Sequence, residues 1–249
     1  TGVISGAMLF IGKELGIKSG SFQDGFITAS VLLGAIIGAA VIGPLSDRLG
    51  RKKLLLIASI IFLTGALGSG IGINYTVLVV SRVILGIAVG AASALIPTYL
   101  AELSPADKRG GIGTLFQLMI MTGIFFAYVS NEWLSPNGFL GLKENVGWHW
   151  MLGLAAIPAA LLFFGGLRLP ESPRFLVRNG KIDDAKRVLS QMNPNAKLVE
   201  EELHDIQLQA NIPSGGFKEL FGVMARPVLI MALGLAIFQQ VMGCNTVLY

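Results

Sequence analysis

The stretch Gly43-Pro-Leu-Ser-Asp-Arg-Leu-Gly-Arg-Lys-Lys53 carries five charged side chains, Asp47, Arg48, Arg51, Lys52 and Lys53, between two long runs that carry none. Residues 25–43 and 54–81 lack Asp, Glu, Lys and Arg altogether. Each run is long enough to hold the roughly 20 apolar residues needed to cross about 30 Å of hydrocarbon. The sequence therefore predicts two membrane spans meeting at a short cationic turn. Lys and Arg in short loops resist translocation, which assigns this turn to the cytoplasmic side.

Composition agrees. Of 249 residues, 53% are hydrophobic and only 14% charged, against about 25% charged in a typical soluble chain. The formal net charge of +4 would point to nucleic acid only if the cations shared one soluble face. Here they sort by membrane side, so no nucleic-acid partner is expected and the lipid bilayer is. Glycine is abundant, with 32 residues, as suits membrane helices that approach closely. The single cysteine, Cys244, excludes an intrachain disulfide. The chain opens Thr1-Gly-Val-Ile without Met or a basic leader and reads as a piece whose start is missing.

Taken in order, residues 1–12 read as the outer part of a truncated helix. The second span, about 25–43, contains Gly34-Ala-Ile-Ile-Gly38, and the fourth, about 77–100, contains Gly86-Ile-Ala-Val-Gly90. Both are small-xxx-small packing faces. The third span covers about 54–73, the fifth about 111–131 and the sixth about 150–168, with a loop at 135–147 flanked by Trp133, Trp148 and Trp150 as interfacial aromatics. From Pro170 the character changes. Ala185, Val188, Leu189 and Met192, then Val199, Leu203, Ile206 and Ala210, recur at helical spacing among charges and predict short amphipathic helices. Apolar character returns after Arg226-Pro227, in a seventh span that the chain leaves unfinished. The fold class is thus an all-α membrane protein of about seven transmembrane helices, first and last truncated. It divides into a bundle (1–169), a cytoplasmic helical linker (170–226) and the start of a second bundle (227–249).

The cations support this topology. Lys13, Lys18 and Lys143 fall on outer loops and Arg82 inside a span, while every other Lys and Arg lies on one of three basic segments separated by even numbers of crossings.

Four segments carry a resemblance. Gly43-Pro-Leu-Ser-Asp-Arg-Leu-Gly-Arg-Lys is similar to the signature between the second and third helices of the major facilitator superfamily. Glu102-Leu-Ser-Pro-Ala-Asp-Lys-Arg-Gly110, Pro170-Glu-Ser-Pro-Arg174 and Phe238-Gln-Gln-Val-Met-Gly-Cys-Asn-Thr-Val-Leu-Tyr249 resemble patterns of its sugar porter family. The resemblance implies the first half of a twelve-helix transporter for a monosaccharide (hexose or pentose) or polyol, working by alternating access. Family proton symporters carry an Asp immediately before the Thr-Gly-Val that opens this chain, so proton symport is the expectation. A facilitative uniporter and a non-transporting sugar sensor are the alternatives. No nucleophile–base pair or metal-ligand spacing lies in the spans, so neither an enzyme, a cofactor nor a metal is expected.

The candidate residues are polar groups placed in oil. Gln117, in the fifth span, can serve a helix–helix hydrogen bond or, as the resemblance implies, bridge two sugar hydroxyls. Gln239, Gln240 and Asn245 crowd one apolar span, and a straight helix would not make all three converge. Gly243 offers a point of unwinding. Tyr249 closes the same substrate site or sits at the interface. Arg82 needs the bundle interior, water or an acidic partner. It is the candidate coupling residue, with outer-interface snorkelling as the rival. Asp47, Arg48, Arg51, Glu102, Arg109, Glu171 and Arg174 lie near cytoplasmic helix ends and form a candidate gate of ion pairs, made when that side is shut and broken when it opens.

Overall fold

In the computed structural model the described residues are 2–17, 21–105, 108–136, 138–193, 195–210, 222 and 226–241, and among them only helices occur as regular structure. The helices are α1 (Gly2–Glu14), α2 (Phe22–Leu49), α3 (Arg51–Ile71), α4 (Tyr75–Leu103), α5 (Arg109–Leu134), α6 (Glu144–Gly153), α7 (Ala156–Arg168), α8 (Pro173–Arg178), α9 (Ile182–Met192), α10 (Ala196–Ala210) and α11 (Arg226–Val241). Five segments, Phe22–Leu49, Arg51–Ile71, Tyr75–Leu103, Gly110–Leu134 and Val146–Arg168, are long and apolar enough to cross a membrane. Their outward sides are covered with Leu32, Ile36, Leu118, Phe125 and Phe164. Such a surface calls for lipid or further protein against it, and five spans of this length call for a bilayer. The molecule is a multi-pass membrane protein.

The α2–α4 interface explains the glycines. Gly34 and Gly38 on α2 face Gly86 and Gly90 on α4. A Cβ added to Gly34 or Gly38 would overlap the carbonyl of Val83 or Ile87, and one added to Gly86 or Gly90 the carbonyl of Val31 or Ala35. The two small-xxx-small faces foreseen in the sequence therefore pack against each other, backbone on backbone, as membrane helices without a hydrophobic driving force do.

The charged segment at 43–53 is not a turn of several residues. α2 continues through Pro44 to Leu49, and α3 starts at Arg51. Hydropathy falls where charges begin, but the helix persists. The reversal is made by Gly50 alone, at φ 92° and ψ 155°, a region essentially reserved for glycine. At the other end of α3, Asn74 caps α4 by accepting the Val77 N–H at 3.0 Å.

The sixth span also differs from expectation. It begins at α6, within the expected loop, and breaks at Leu154–Ala155 before α7. Pro158, which has no N–H to give to the Leu154 carbonyl, accounts for the break. Trp133 and Trp150 are exposed, whereas Trp148 is buried. The Trp148 indole donates to Glu14 Oε2 at 2.5 Å and stacks on His149, whose Nδ1 lies 2.7 Å from the Gly70 carbonyl. Trp148 thus ties α6 to the end of α1 within a core that includes Ile4, Ala7, Ile11, Leu78 and Met151.

A second core, Ile42, Leu54, Leu55, Ala58, Ala91 and Leu95, lies toward the basic end of the bundle. The α8–α10 segment has its own core of Leu176, Val177, Ala185, Val188, Leu189, Val199, Leu203 and Ile206, against which Leu103 of α4 packs. Of the predicted stripes, Met192 stays half-buried and Ala210 is exposed.

Candidate functional site

The chemistry-bearing side chains gather at two places along α4. At its C-terminal end Glu102 points toward the start of α3. The Arg51 guanidinium donates to it in parallel, Nε to Oε2 and Nη2 to Oε1, both at 3.0 Å. This fork–fork geometry is the strong form of an ion pair. Nη1 of Arg51 donates to the Ser46 carbonyl at 3.0 Å, and Nη2 lies 3.1 Å from Asp47 Oδ1. Ser172 Oγ donates to Glu102 Oε2 at 2.5 Å. The α2, α3 and α4 ends and the 170–172 strap therefore converge on the Arg51–Glu102 pair.

Glu171 behaves differently from the ion pair that the sequence suggested. Its Oε1 accepts three backbone N–H groups, from Arg51 at 2.9 Å, Lys52 at 3.1 Å and Ser172 at 2.9 Å. Two of these are orphan donors at the start of α3, so a side chain distant in sequence supplies the helix cap that Gly50 cannot. A Cβ on Gly50 would fall 2.5 Å from Glu171 Oε2. The strap is further held by the Tyr99 hydroxyl, which donates to the Pro170 carbonyl, and by Lys52 Nζ, which donates to the Leu167 carbonyl at 2.9 Å.

Of the seven residues proposed for a gate, four, Asp47, Arg51, Glu102 and Glu171, are brought together. Arg48 and Arg174 are exposed, and Arg109 opens α5. Sequence reasoning missed Ser172, Tyr99, Gly50 and Arg178. Arg178 Nη1 lies 3.7 Å from Asp47 Oδ2. A buried hydroxyl or a lone glycine carries no charge pattern to mark it. Arg178 was legible as the residue one helical turn beyond Arg174.

The second place is the outer part of α4. Arg82 is 6% exposed and lines a cavity of about 250 Å³ with Thr28, Ser69, Phe62, Leu85 and Val89 among its neighbours. It faces the bundle interior instead of snorkelling outward. Along α4 it stands about 30 Å from Glu102, at 1.5 Å per residue.

Gln117 is exposed on α5 and is not among the residues that line the Arg82 cavity. Gln239 and Gln240 belong to α11, near its end, but their side chains are not described. Asn245 and Tyr249 lie outside the described residues.

A family model described as "Sugar (and other) transporter" matches residues 1–249. The chain belongs to this sugar transporter family. A D-xylose transporter of Levilactobacillus brevis is 62% identical over 250 residues, which cover 100% of this chain and 53% of that protein. The putative metabolite transport protein YwtG of Bacillus subtilis is 45% identical over 249 residues, again 100% of this chain and 52% of the relative. Among solved structures, the proton:xylose symporter XylE bound to 6-bromo-6-deoxy-D-glucose superposes with a TM-score of 0.87 at 31% identity, covering 99% of this chain and 56% of that one. The inward-open xylose transporter XylE from E. coli gives a TM-score of 0.82 at 30% identity, covering 100% and 58%. The fold is a major facilitator superfamily helical bundle, and such family members are multi-pass proteins of the cell membrane. The chain spans about half the length of the curated relatives it matches.

Proposed function

We propose that this chain supplies the N-terminal half of a secondary active transporter that moves a monosaccharide, a pentose such as D-xylose foremost, across the cell membrane in symport with protons. The observation that carries the reading is Arg82: a guanidinium enclosed in a cavity between apolar helices, in a chain 62% identical to a D-xylose transporter. A charge held inside the membrane region is costly and marks an ion or substrate path. Arg82 is the coupling residue in this reading, bound more tightly to a carboxylate when that carboxylate is ionised. Gln117, Gln239, Gln240, Asn245 and Tyr249 contact the sugar, whose hydroxyls suit primary amides that both donate and accept.

The basic end is the cytoplasmic side, where Lys and Arg remain during insertion. The Arg51–Glu102 pair with Asp47 and Glu171 forms the fixed part of the cytoplasmic gate, and Arg48, Arg109 and Arg174 the part that changes partners as the gate opens. Alternating access then biases two states by the difference in their ion pairs.

The test is uptake of labelled D-xylose by the full-length protein in liposomes, with and without an inward proton gradient. Accumulation above the external concentration, abolished by dissipating the gradient, is expected. Equilibration without accumulation would assign facilitated uniport, and no uptake of any monosaccharide would remove the transport reading. Gln117→Ala and Gln240→Ala are each expected to depress uptake. Wild-type rates in both would remove the substrate assignment.

A further inference from the structure

At the end of the bundle away from the basic segments, three helices meet around one carboxylate. Trp148 is 1% exposed, and a buried indole N–H needs an acceptor. Glu14, the last residue of α1, supplies it through Oε2 at 2.5 Å. The carboxylate is oriented by that bond, and its other oxygen, Oε1, lies 4.0 Å from Nε2 of the neighbouring His149.

The other ring nitrogen fixes the tautomer. Nδ1 lies 2.7 Å from the Gly70 carbonyl, and a carbonyl oxygen only accepts, so the proton of the neutral ring sits on Nδ1. That carbonyl is held by close backbone packing, since a Cβ on Gly70 would fall 2.9 Å from the Gly153 Cα. Nε2 of the neutral ring therefore presents a lone pair to a carboxylate, and no bond joins them. A proton added there makes the same atom a charged donor facing an anion at the negative end of α1. It also sets a cation on the Trp148 indole, which stacks on His149 with ring centroids 3.6 Å apart.

Other titratable groups stand further off or outside the described side chains. Besides Glu14, α1 carries Lys13 and the loop after it Lys18; α3 brings none at this end; α4 brings Tyr75, packed in the core beneath Trp148; and α5 brings the exposed Glu132. Glu144 lies on α6 and Lys143 just before it. The side chains of Lys13, Lys18 and Glu144 are not described. Among the described residues, the carboxylate within 4.0 Å of the imidazole is Glu14.

We propose that His149 is an external proton sensor: once protonated it closes on Glu14, so that Trp148 and His149 clasp both oxygens of the carboxylate and tie the outer end of α1 to α3 and α6. Histidine changes charge between about pH 5 and 8. The clasp is made toward the acid end of that interval, where a glutamate is still ionised, and is lost toward the alkaline end. The two side chains are 29% and 38% exposed, which leaves room for the gap to close and keeps the tie modest. That this end faces outward rests on the sorting of cations, and any effect on uptake rests on the transporter reading. The clasp itself needs neither.

The full-length protein in detergent is unfolded thermally at intervals between about pH 8 and pH 5.5, and the midpoint of each variant is subtracted from that of the wild type. His149→Gln keeps a donor for the Gly70 carbonyl but cannot take a charge. Glu14→Gln keeps an acceptor for the Trp148 indole but carries none. For each, the advantage of the wild type is expected to grow by about 2 °C on acidification, and for the double variant by no more than for either single one. His149→Arg, charged throughout, is expected to hold a constant midpoint difference from His149→Gln over the whole range. A wild-type advantage over His149→Gln that does not change with pH overturns the sensor. One that changes for His149→Gln but not for Glu14→Gln overturns the clasp. Should one of these two variants fail to fold, the other carries the same test. No transport is read, so failure here is separate from failure of the transporter assignment.

Discussion

Glu171 caps a helix it does not belong to: one of its oxygens accepts the N–H groups of both Arg51 and Lys52, the first residues of α3. The arrangement works because Gly50 brings the chain past the carboxylate with no side chain in the way.

Gly50→Ala is therefore expected to be destabilising on two counts. It forces a non-glycine residue into a backbone region that costs about 1–3 kcal/mol, and its methyl displaces the Glu171 carboxylate. Thermal unfolding in detergent should show a lowered midpoint. Gly43→Ala, in a position with open space around it, should leave the midpoint near wild type.

Arg51 and Glu102 have side chains only 11% and 9% exposed. Removing one partner leaves the other's charge stranded, a loss of about 3–5 kcal/mol. Arg51→Met and Glu102→Leu should each be severe, and the double replacement milder than their sum. A double-mutant cycle measured by chemical denaturation checks this, and additive losses would count against a coupled pair.

By contrast, Lys186–Glu200 and Arg187–Asp184 are exposed pairs of the α9–α10 segment. Lys186→Ala and Asp184→Ala should each change stability by less than about 1 kcal/mol, with the residual effect disappearing in high salt.

Enlarging the α2–α4 seam should be among the most damaging changes available. Gly38→Val or Gly90→Val drives carbon into a facing carbonyl, and overpacking costs typically about 1–3 kcal/mol even where side chains can yield. Folded yield and unfolding midpoint would report it.

Arg82→Leu should separate two functions. If Arg82 couples proton and sugar, gradient-driven accumulation should vanish while exchange of sugar across liposomes persists. Unimpaired accumulation would remove the coupling role.

The sequence announced the spans and the glycine seam because both rest on periodic, local signals: charge-free length and small residues four apart. It misplaced helix ends wherever the signal used was hydropathy. α2 carries Asp47 and Arg48 in its last turn, so the loss of apolar character at Gly43 was not the loss of helix. The same substitution of polarity for geometry put residues 144–147 in a loop and Trp148 at an interface. At the basic end, Asp47, Arg51, Glu102 and Glu171 could be named from their charge. What each does depended on contacts between residues far apart in the chain. Glu171 and Arg51 are 120 positions apart, and no spacing rule distinguishes a carboxylate that pairs with a guanidinium from one that accepts peptide N–H groups. The amides Gln239, Gln240 and Asn245 remain a reading of residue type in an apolar span.

The interlocked backbones of α2 and α4 leave these two helices little freedom to slide past each other, since glycine carbonyl contacts offer no flexible side chain to absorb a shift. Any tilt that begins near Arg82 must then be carried down the pair as down a stiff lever. Its far arm is the carboxylate of Glu102, so such a tilt would bear directly on the fork of two hydrogen bonds from Arg51.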